Sequence, residues 1–288
     1  MQTGSLKERI KIVRNKKLIV LILSVFMSTA LLSGCTFVDD MAVKMNLRNE
    51  KFDYIKENTV DKIIIQNVRD SGFRFIVSDS QAINDIYKSL AKGKIEKEKT
   101  TLDPDYIFEV KMGDEEKKYN YVVGSDSKNV GNFYDDENAF SMPKNLENTI
   151  MQNLSFIRKP RDFQYIYYQS ILKVAEAKKN DIENMKVGID ISGDTDCLKY
   201  VFSTELEEFK KNLKKVLPNA EMVNNNSKDF DVILTVKNRG YSSKVFKTLI
   251  SVENKMDKSL KNYYISAEYN LKTWDINVSE PDQKPQDW

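Results

Sequence analysis

The sequence predicts an α+β protein with two small antiparallel-sheet domains covered by helices, preceded by a cleaved signal peptide and a tether. Segments in which apolar and polar residues alternate predict strands, and several stand in pairs separated by short polar turns. Amphipathic helical segments lie between groups of strands, whereas a doubly wound sheet has a helix after each strand. The stretch "FIRKPRDF" (residues 156–163), with a proline among charges, indicates a junction between the two domains.

The N-terminus has the pattern of a secretory signal. Six basic residues and one acidic residue occur in the first 17 positions, and an uncharged run of 15 residues follows, Leu18–Leu32. A membrane-spanning helix needs about 20 apolar residues, so this run is short for a permanent span. A basic start, an apolar core of about 7–15 residues and small residues before a cut are typical of a cleaved signal.

The run ends in Leu32-Ser33-Gly34-Cys35, which resembles the lipobox of bacterial lipoprotein precursors. The resemblance implies that the Cys35 thiol receives a diacylglyceryl group, that the signal is cut immediately before it, and that Cys35 becomes the first mature residue. Two fatty chains hold a protein stably on a membrane, whereas one chain holds it marginally. The alternative is a signal anchor in which Cys35 is incidental. We expect a lipid anchor on the extracytoplasmic face of the cell membrane.

The predicted organisation then has five parts. They are the lipoprotein signal peptide (1–34), the lipidated cysteine and tether (35–59), a first α+β domain (60–157), a second α+β domain (161–278) and a disordered, proline-bearing tail (279–288).

The first domain is predicted from a strand pair, a helix and further strands. "DKIIIQNV" and "FRFIVS" read as strands joined by the turn "DSG", and "DYIFEVKM" and "KKYNYVVG" as a second pair. Between the pairs, an apolar stripe at helical spacing predicts a helix that Asp79 or Ser80 can cap. The stripe consists of Ile83, Ile86, Tyr87 and Leu90.

The piece Pro104-Asp105-Tyr106, followed by Phe108 and Val110, lies in one of these strands. Together with the order of elements over about residues 60–155 and a closing helix after Pro143, it resembles the small domain of YhfM-like bacterial lipoproteins. That family has no defined biochemical role, so the resemblance implies a fold and a location rather than a chemistry.

The second domain is predicted from an aromatic helix, a strand "KVGIDIS", a further strand "LKYVFS" and an amphipathic helix. Thr204 and Glu207 have the spacing of a capping box at the start of that helix, and Pro218 ends it. The remaining predicted strands are 230–236, 244–252, 263–271 and a last one from Trp274.

The charge of the mature chain argues against nucleic acid as a partner. Loss of residues 1–34 removes six of 45 basic and one of 43 acidic residues, which leaves 39 against 42 and a formal charge of −3. The net charge of +2 of the whole chain therefore belongs to the signal. Without an excess of positive charge, no electrostatic attraction for nucleic acid is expected.

The chain contains no histidine. This excludes Ser-His-Asp and Cys-His nucleophiles and histidine-ligated zinc sites, although carboxylate and Ser-Lys catalysis stay possible. The glycine-bearing stretch "GSDSKNVG" lacks the context and the Lys-Ser/Thr ending of a phosphate loop. We expect no cofactor and no resident metal.

Three acidic residues, Asp190, Asp194 and Asp196, lie in the stretch "DISGDTDC". Clustered oxygen ligands suit calcium, but the spacing is not that of an EF-hand and the bidentate glutamate at the twelfth position is missing. A polar turn is therefore the favoured interpretation.

Three further features have a functional and a structural interpretation. "YDDEN" (134–138) is a metal ligand cluster or a solvated loop, and "FQYIYYQS" (163–170) is an aromatic binding platform or a helix that packs in the core. In both cases we favour the structural interpretation. Cys197 is left without a disulfide partner once Cys35 is lipidated, and a small buried apolar residue is the expected role.

These observations predict a lipid-anchored, non-enzymatic binding module of the cell envelope. Its partners are the membrane, through Cys35, and an envelope protein, a peptide or a wall polymer. The alternative is a carboxylate-dependent envelope hydrolase that acts on glycan or peptide. A solute-binding lipoprotein of a transporter is disfavoured because such proteins need two lobes with alternating strands and helices.

Overall fold

A computed structural model describes residues 48–56, 60–125, 128–143, 146, 159–286 and 288. The signal peptide, Cys35 and most of the predicted tether lie outside the described residues, as does most of the helix predicted after Pro143. Within the described ranges, no helix is both long enough and apolar enough to cross a membrane.

The first unit is built on antiparallel strands. Its strands are β1 (Lys62–Asn67), β2 (Arg74–Val77), β3 (Lys94–Glu96), β4 (Glu98–Lys99), β5 (Tyr106–Met112), β6 (Glu115–Tyr121), β7 (Val130–Gly131), β8 (Phe133–Tyr134) and β9 (Ala139–Ser141). Seven of them form one sheet in the order β2-β1-β5-β6-β8-β9-β3, and β4 and β7 form a separate parallel pair. The predicted strand pairs are confirmed.

Two helices, α1 (Asp53–Lys56) and α2 (Ser80–Leu90), contribute to the core of this unit. α2 begins as predicted, because the Asp79 carboxylate accepts a hydrogen bond from the Ala82 N–H at 2.9 Å. Its predicted stripe is buried against the sheet.

Part of the predicted tether (35–59) belongs to this core. Phe52 has no solvent exposure, and its ring centroid lies 4.8 Å from that of Phe140 and 5.8 Å from that of Phe133. Ile55, one helical turn later, is buried as well. The first unit therefore begins before residue 60. The sequence did not indicate this, because Phe52 and Ile55 are only two apolar residues in a charged stretch.

The second unit contains a six-stranded sheet and three helices within the described residues. The strands are β10 (Val187–Asp190), β11 (Ala220–Met222), β12 (Val232–Tyr241), β13 (Val245–Asn254), β14 (Ser259–Asn270) and β15 (Thr273–Val278), and the helices are α3 (Phe163–Ile182), α4 (Thr195–Leu198) and α5 (Ser203–Val216). A short 3₁₀ turn lies at Ser227–Asp229. The strand order is β11-β10-β12-β13-β14-β15.

The sheet of the second unit is mixed. β12 to β15 are antiparallel as predicted, but β10 pairs in parallel with both β11 and β12. The expectation of a purely antiparallel sheet is therefore wrong at this edge. The chain leaves β10, passes through α5 and returns in β11, and a crossover of this length with a helix in it joins parallel strands. The α+β class is confirmed.

The C-terminal segment predicted as a disordered tail (279–288) packs along β14. The Tyr264 N–H donates to Oγ of Ser279 at 3.0 Å, and the Asn262 N–H donates to the carboxylate of Asp282 at 2.9 Å. The indole N–H of Trp288 donates to the Ile265 carbonyl at 3.1 Å. Polar composition suggested disorder, but strand-edge hydrogen bonds and one terminal aromatic residue hold the segment in place.

Candidate functional site: a groove at the junction of the two units

Asp105 is the buried carboxylate at which the two units meet. It lies just before β5 and has no solvent exposure. One carboxylate oxygen accepts hydrogen bonds from Nη1 of Arg69 at 2.6 Å and from the Ser203 N–H at 2.8 Å. The other accepts one from the Val123 N–H at 2.8 Å. The carboxylate therefore joins three segments, two in the first unit and one in the second.

Burial raises the pKa of the Asp105 carboxyl, and the Arg69 guanidinium with the two N–H donors offsets only part of that effect. A buried ion pair contributes little net stability, because the cost of removing the charges from water is comparable to their attraction. Removal of one partner is costly because the other charge then stays buried and uncompensated. The pair therefore fixes how the units fit together.

Side chains at the start of α5 add further contacts across the junction. Oγ of Ser203 donates to the Asp103 carbonyl at 2.7 Å and accepts a hydrogen bond from Nη2 of Arg69. The Thr204 hydroxyl donates to the Val123 carbonyl at 3.1 Å. Each of these bonds connects a side chain of α5 with the first unit.

The predicted capping box of Thr204 and Glu207 is wrong. α5 follows Phe202, and no side chain at that position caps it. Asp105, almost a hundred positions earlier in the chain, accepts the Ser203 N–H instead. A carboxylate at a helix N-terminus also interacts favourably with the helix dipole. The cap of α5 is therefore supplied by the other unit.

The segment that leads into α5 carries side chains of both cores. Val201 is fully buried in the second core, whereas Phe202 is buried in the first, with its ring centroid 6.3 Å from that of Tyr106. The strand predicted from "LKYVFS" is therefore wrong. Apolar neighbours occur there because consecutive residues enter different cores, and not because they face a sheet.

An open groove of about 700 Å³ lies beside this junction. Its lining comes from both units: Arg69 and Asp103 from the first, and α5, the loop after β10 and the β11 segment from the second. The apolar part of the lining consists of Ile191, Leu198, Leu206, Ala220, Met222 and Val223. Because the lining is shared, the shape of the groove depends on the contacts of Asp105.

The α5 side of the groove is basic. Lys210, Lys211 and Lys214 all line it, together with Glu207. Nζ of Lys210 lies 2.6 Å from a Glu207 carboxylate oxygen, so these two charges balance. Within the described residues, Lys211 and Lys214 form no ion pair, and they lie one turn apart on an exposed helix face. Two uncompensated positive charges therefore face the groove or its rim.

The acidic loop after β10 is a structural turn. Asp194 is 2% exposed, and its carboxylate accepts hydrogen bonds from the Tyr167 hydroxyl at 3.0 Å and the Asn238 N–H at 2.8 Å. Burial raises its pKa, although these donors act in the opposite direction. Asp190 accepts hydrogen bonds from Ser192, and Asp196 is exposed. The three carboxylates do not converge, and no metal-ligating cluster occurs in the described part of the chain.

The other sequence features also have structural roles. In "YDDEN", the Asp135 carboxylate accepts the N–H groups of Glu137 and Asn138 at 2.9 and 2.6 Å, which is a polar turn. Cys197 is fully buried, and burial beside the Asp194 carboxylate raises the pKa of its thiol, so it is not a reactive thiolate.

The aromatic stretch 163–170 is mostly core. Tyr167 and Tyr168 are buried, and the Tyr168 ring stacks on that of Phe209 with centroids 4.7 Å apart. Tyr165 is 51% exposed, and it lies in a smaller groove between α3 and α5. A single exposed tyrosine does not form the platform of several rings that the spacing allowed.

We predict that Asp105→Ala lowers the free energy of unfolding by about 3–5 kcal/mol, because Arg69 stays partly buried without its counter-charge and two N–H donors lose their acceptor. Urea denaturation measures the change. Asp105→Asn keeps the size and one acceptor oxygen, and should have an intermediate effect.

Asp103→Ala is the matched control for this experiment. Asp103 is exposed two positions away and contributes only its backbone carbonyl to the junction, so its loss should change stability by no more than about 0.5 kcal/mol. If Asp105→Ala costs no more than Asp103→Ala, Asp105 does not hold the junction.

Comparison with known proteins bears on the first unit only. The family model described as YhfM protein matches residues 56–160, a little more than a third of the chain. That match agrees with the resemblance seen around Pro104-Asp105-Tyr106, and it includes Arg69 and Asp105 but no part of α5 or β11. No curated protein and no solved structure matches the chain.

Proposed function

We propose that this protein is a lipid-anchored lipoprotein of the cell envelope that binds a partner at its junction groove and catalyses no reaction. Cys35 carries the lipid and holds the protein on the extracytoplasmic face of the membrane. The partner is an envelope protein, a peptide or a wall polymer that reaches the groove from outside.

The observation that carries the binding role is the shared lining of the groove. A groove at a boundary between units that combines apolar side chains with charged and polar ones is typical of binding sites. The buried cap at Asp105 holds the two sides of the groove in one arrangement, and preorganisation reduces the entropy lost on binding.

A hydrolase that uses paired carboxylates has less support. A general acid needs a raised pKa and access to substrate. The pKa of Asp105 and of Asp194 is raised, and both side chains are buried and hydrogen-bonded to protein donors. Each therefore maintains structure rather than facing a substrate.

The anchor is tested by Cys35→Ser. The serine hydroxyl does not form the thioether to diacylglycerol, so the variant should incorporate no labelled palmitate and should keep its signal peptide. Labelling of cells with the fatty acid, followed by gel analysis of the protein, measures both effects. Cys197→Ser, at a buried position, is the control and should keep the label. Unchanged label in Cys35→Ser would contradict the lipid anchor.

The binding site is tested by photo-crosslinking in living cells. We predict that p-benzoylphenylalanine introduced at Lys211, in the groove, gives a cross-linked product in the envelope fraction. The same group at Lys173, exposed on α3 and outside the groove lining, should give none. Equal products from both positions, or none from Lys211, would count against the groove as the binding site.

A further inference from the structure

The edge of the second sheet at β11 is open within the described residues. β11 is the last strand on its side, and its only described strand partner is β10. An unpaired strand edge presents backbone N–H and C=O groups in a row, and an extended peptide can add to such an edge as a further strand.

The register identifies which backbone groups point outward. The Val187 N–H donates to the Asn219 carbonyl, and the Val223 N–H donates to the Ile189 carbonyl at 2.9 Å. In a parallel ladder the residues that bond the neighbouring strand alternate with residues that point away from it. Residues 219, 221 and 223 therefore face β10, and residues 220, 222 and 224 point to the open side. The N–H groups of Ala220 and Asn224 donate to the Leu217 carbonyl at 3.0 Å and to Oδ1 of Asn226 at 2.8 Å, so the N–H that the edge offers is that of Met222.

This edge lies in the junction groove. Residues 220 to 224 line it together with α5, whose Lys211 and Lys214 form no ion pair within the described residues. Glu221 adds one negative charge on the β11 side, so the excess of positive charge lies on the α5 side. Side chains of an added strand alternate between the two faces of the sheet, so every second one points to the helix side. Acidic side chains at those positions would oppose the lysines.

We propose that the partner presents an extended peptide segment with alternate acidic side chains, which adds to β11 and places its carboxylates against Lys211 and Lys214. This inference rests on the proposed function, since it names the chemical class of the partner that the groove binds. Backbone pairing gives affinity, and the lysines select acidic sequences.

Fluorescence anisotropy with the full-length protein in detergent tests the charge requirement. The probe is the labelled peptide Thr-Glu-Thr-Glu-Thr-Glu-Thr, with Thr-Lys-Thr-Lys-Thr-Lys-Thr as its control. The acidic peptide should bind and the basic one should not. Removal of both charges in Lys211→Gln/Lys214→Gln should weaken binding about tenfold, because two ion pairs with the peptide are lost. Lys173→Gln/Lys179→Gln, exposed on α3, should leave the affinity unchanged.

Backbone N-methylation tests strand addition separately from charge. One acidic peptide is methylated on the backbone nitrogens of its Glu residues, and another on those of its Thr residues. Because alternate N–H groups of a strand face its neighbour, one methylated peptide should lose binding and the other should keep it. Equal binding of the two peptides, or equal loss, would overturn strand addition.

The two proposals fail in different ways. If Lys211 cross-links a partner in cells but the acidic peptide does not bind the purified, folded protein, the groove binds something other than an acidic strand and this inference is wrong. If the peptide binds but no product forms in cells from Lys211, the proposed function is wrong. Circular dichroism of each variant verifies that it is folded.

Discussion

The hydrogen bonds of Asp105 to Arg69 and Ser203 determine how the two halves of this protein fit together. A carboxylate with no exposure to water needs a counter-charge and hydrogen-bond donors. Arg69 of the same unit provides the charge, and the Ser203 N–H at the first turn of α5 provides one donor. The first turn of α5 has no capping side chain at its own N-cap position. The second unit supplies an N–H donor to Asp105, and Asp105 supplies the cap that α5 lacks. The junction is therefore specific even though a buried ion pair adds little net stability.

This constraint extends to the groove. Arg69 holds Asp105 and also lines the groove, and α5 begins at the junction and continues along the groove with its lysines. A change in how the units fit would move α5 and β11 relative to Asp103. Binding at the groove and the packing of the junction therefore depend on the same residues.

Local pattern predicted the elements well where one period dominated. α2 and its Asp79 cap, the strand pairs of the first unit and the long strands β12 to β14 follow from alternation or helical spacing within one segment. The errors occur where a residue is fixed by something distant in sequence. Phe52 enters a core formed by later strands, and "LKYVFS" is apolar because Val201 and Phe202 belong to different cores.

The groove could not be predicted for the same reason. In the sequence Asp105 is only one residue of a short motif, and no spacing rule connects it to Ser203, since hydrogen bonds between units leave no period in the sequence. In the sequence, Lys211 and Lys214 are an ordinary solvated helix face, and only the structure shows that they line one groove together with β11. In contrast, the turn at Asp190 could be predicted, because an Asp side chain that accepts hydrogen bonds from nearby backbone N–H groups is a local interaction. The loop at Asp135 was expected only to be solvated, and the structure shows a turn of the same kind there.

The central claim, that the Asp105 contacts make the two units one body, is tested most directly by a distance measurement between them. Spin labels are attached at Lys118→Cys in the first unit and Glu268→Cys in the second, both of which are exposed positions of the two sheets. Pulsed electron paramagnetic resonance on the full-length protein then gives the distribution of distances between the two labels. One narrow distribution is expected. A broad distribution, or two separate ones, would show that the units move independently and that the groove has no fixed shape.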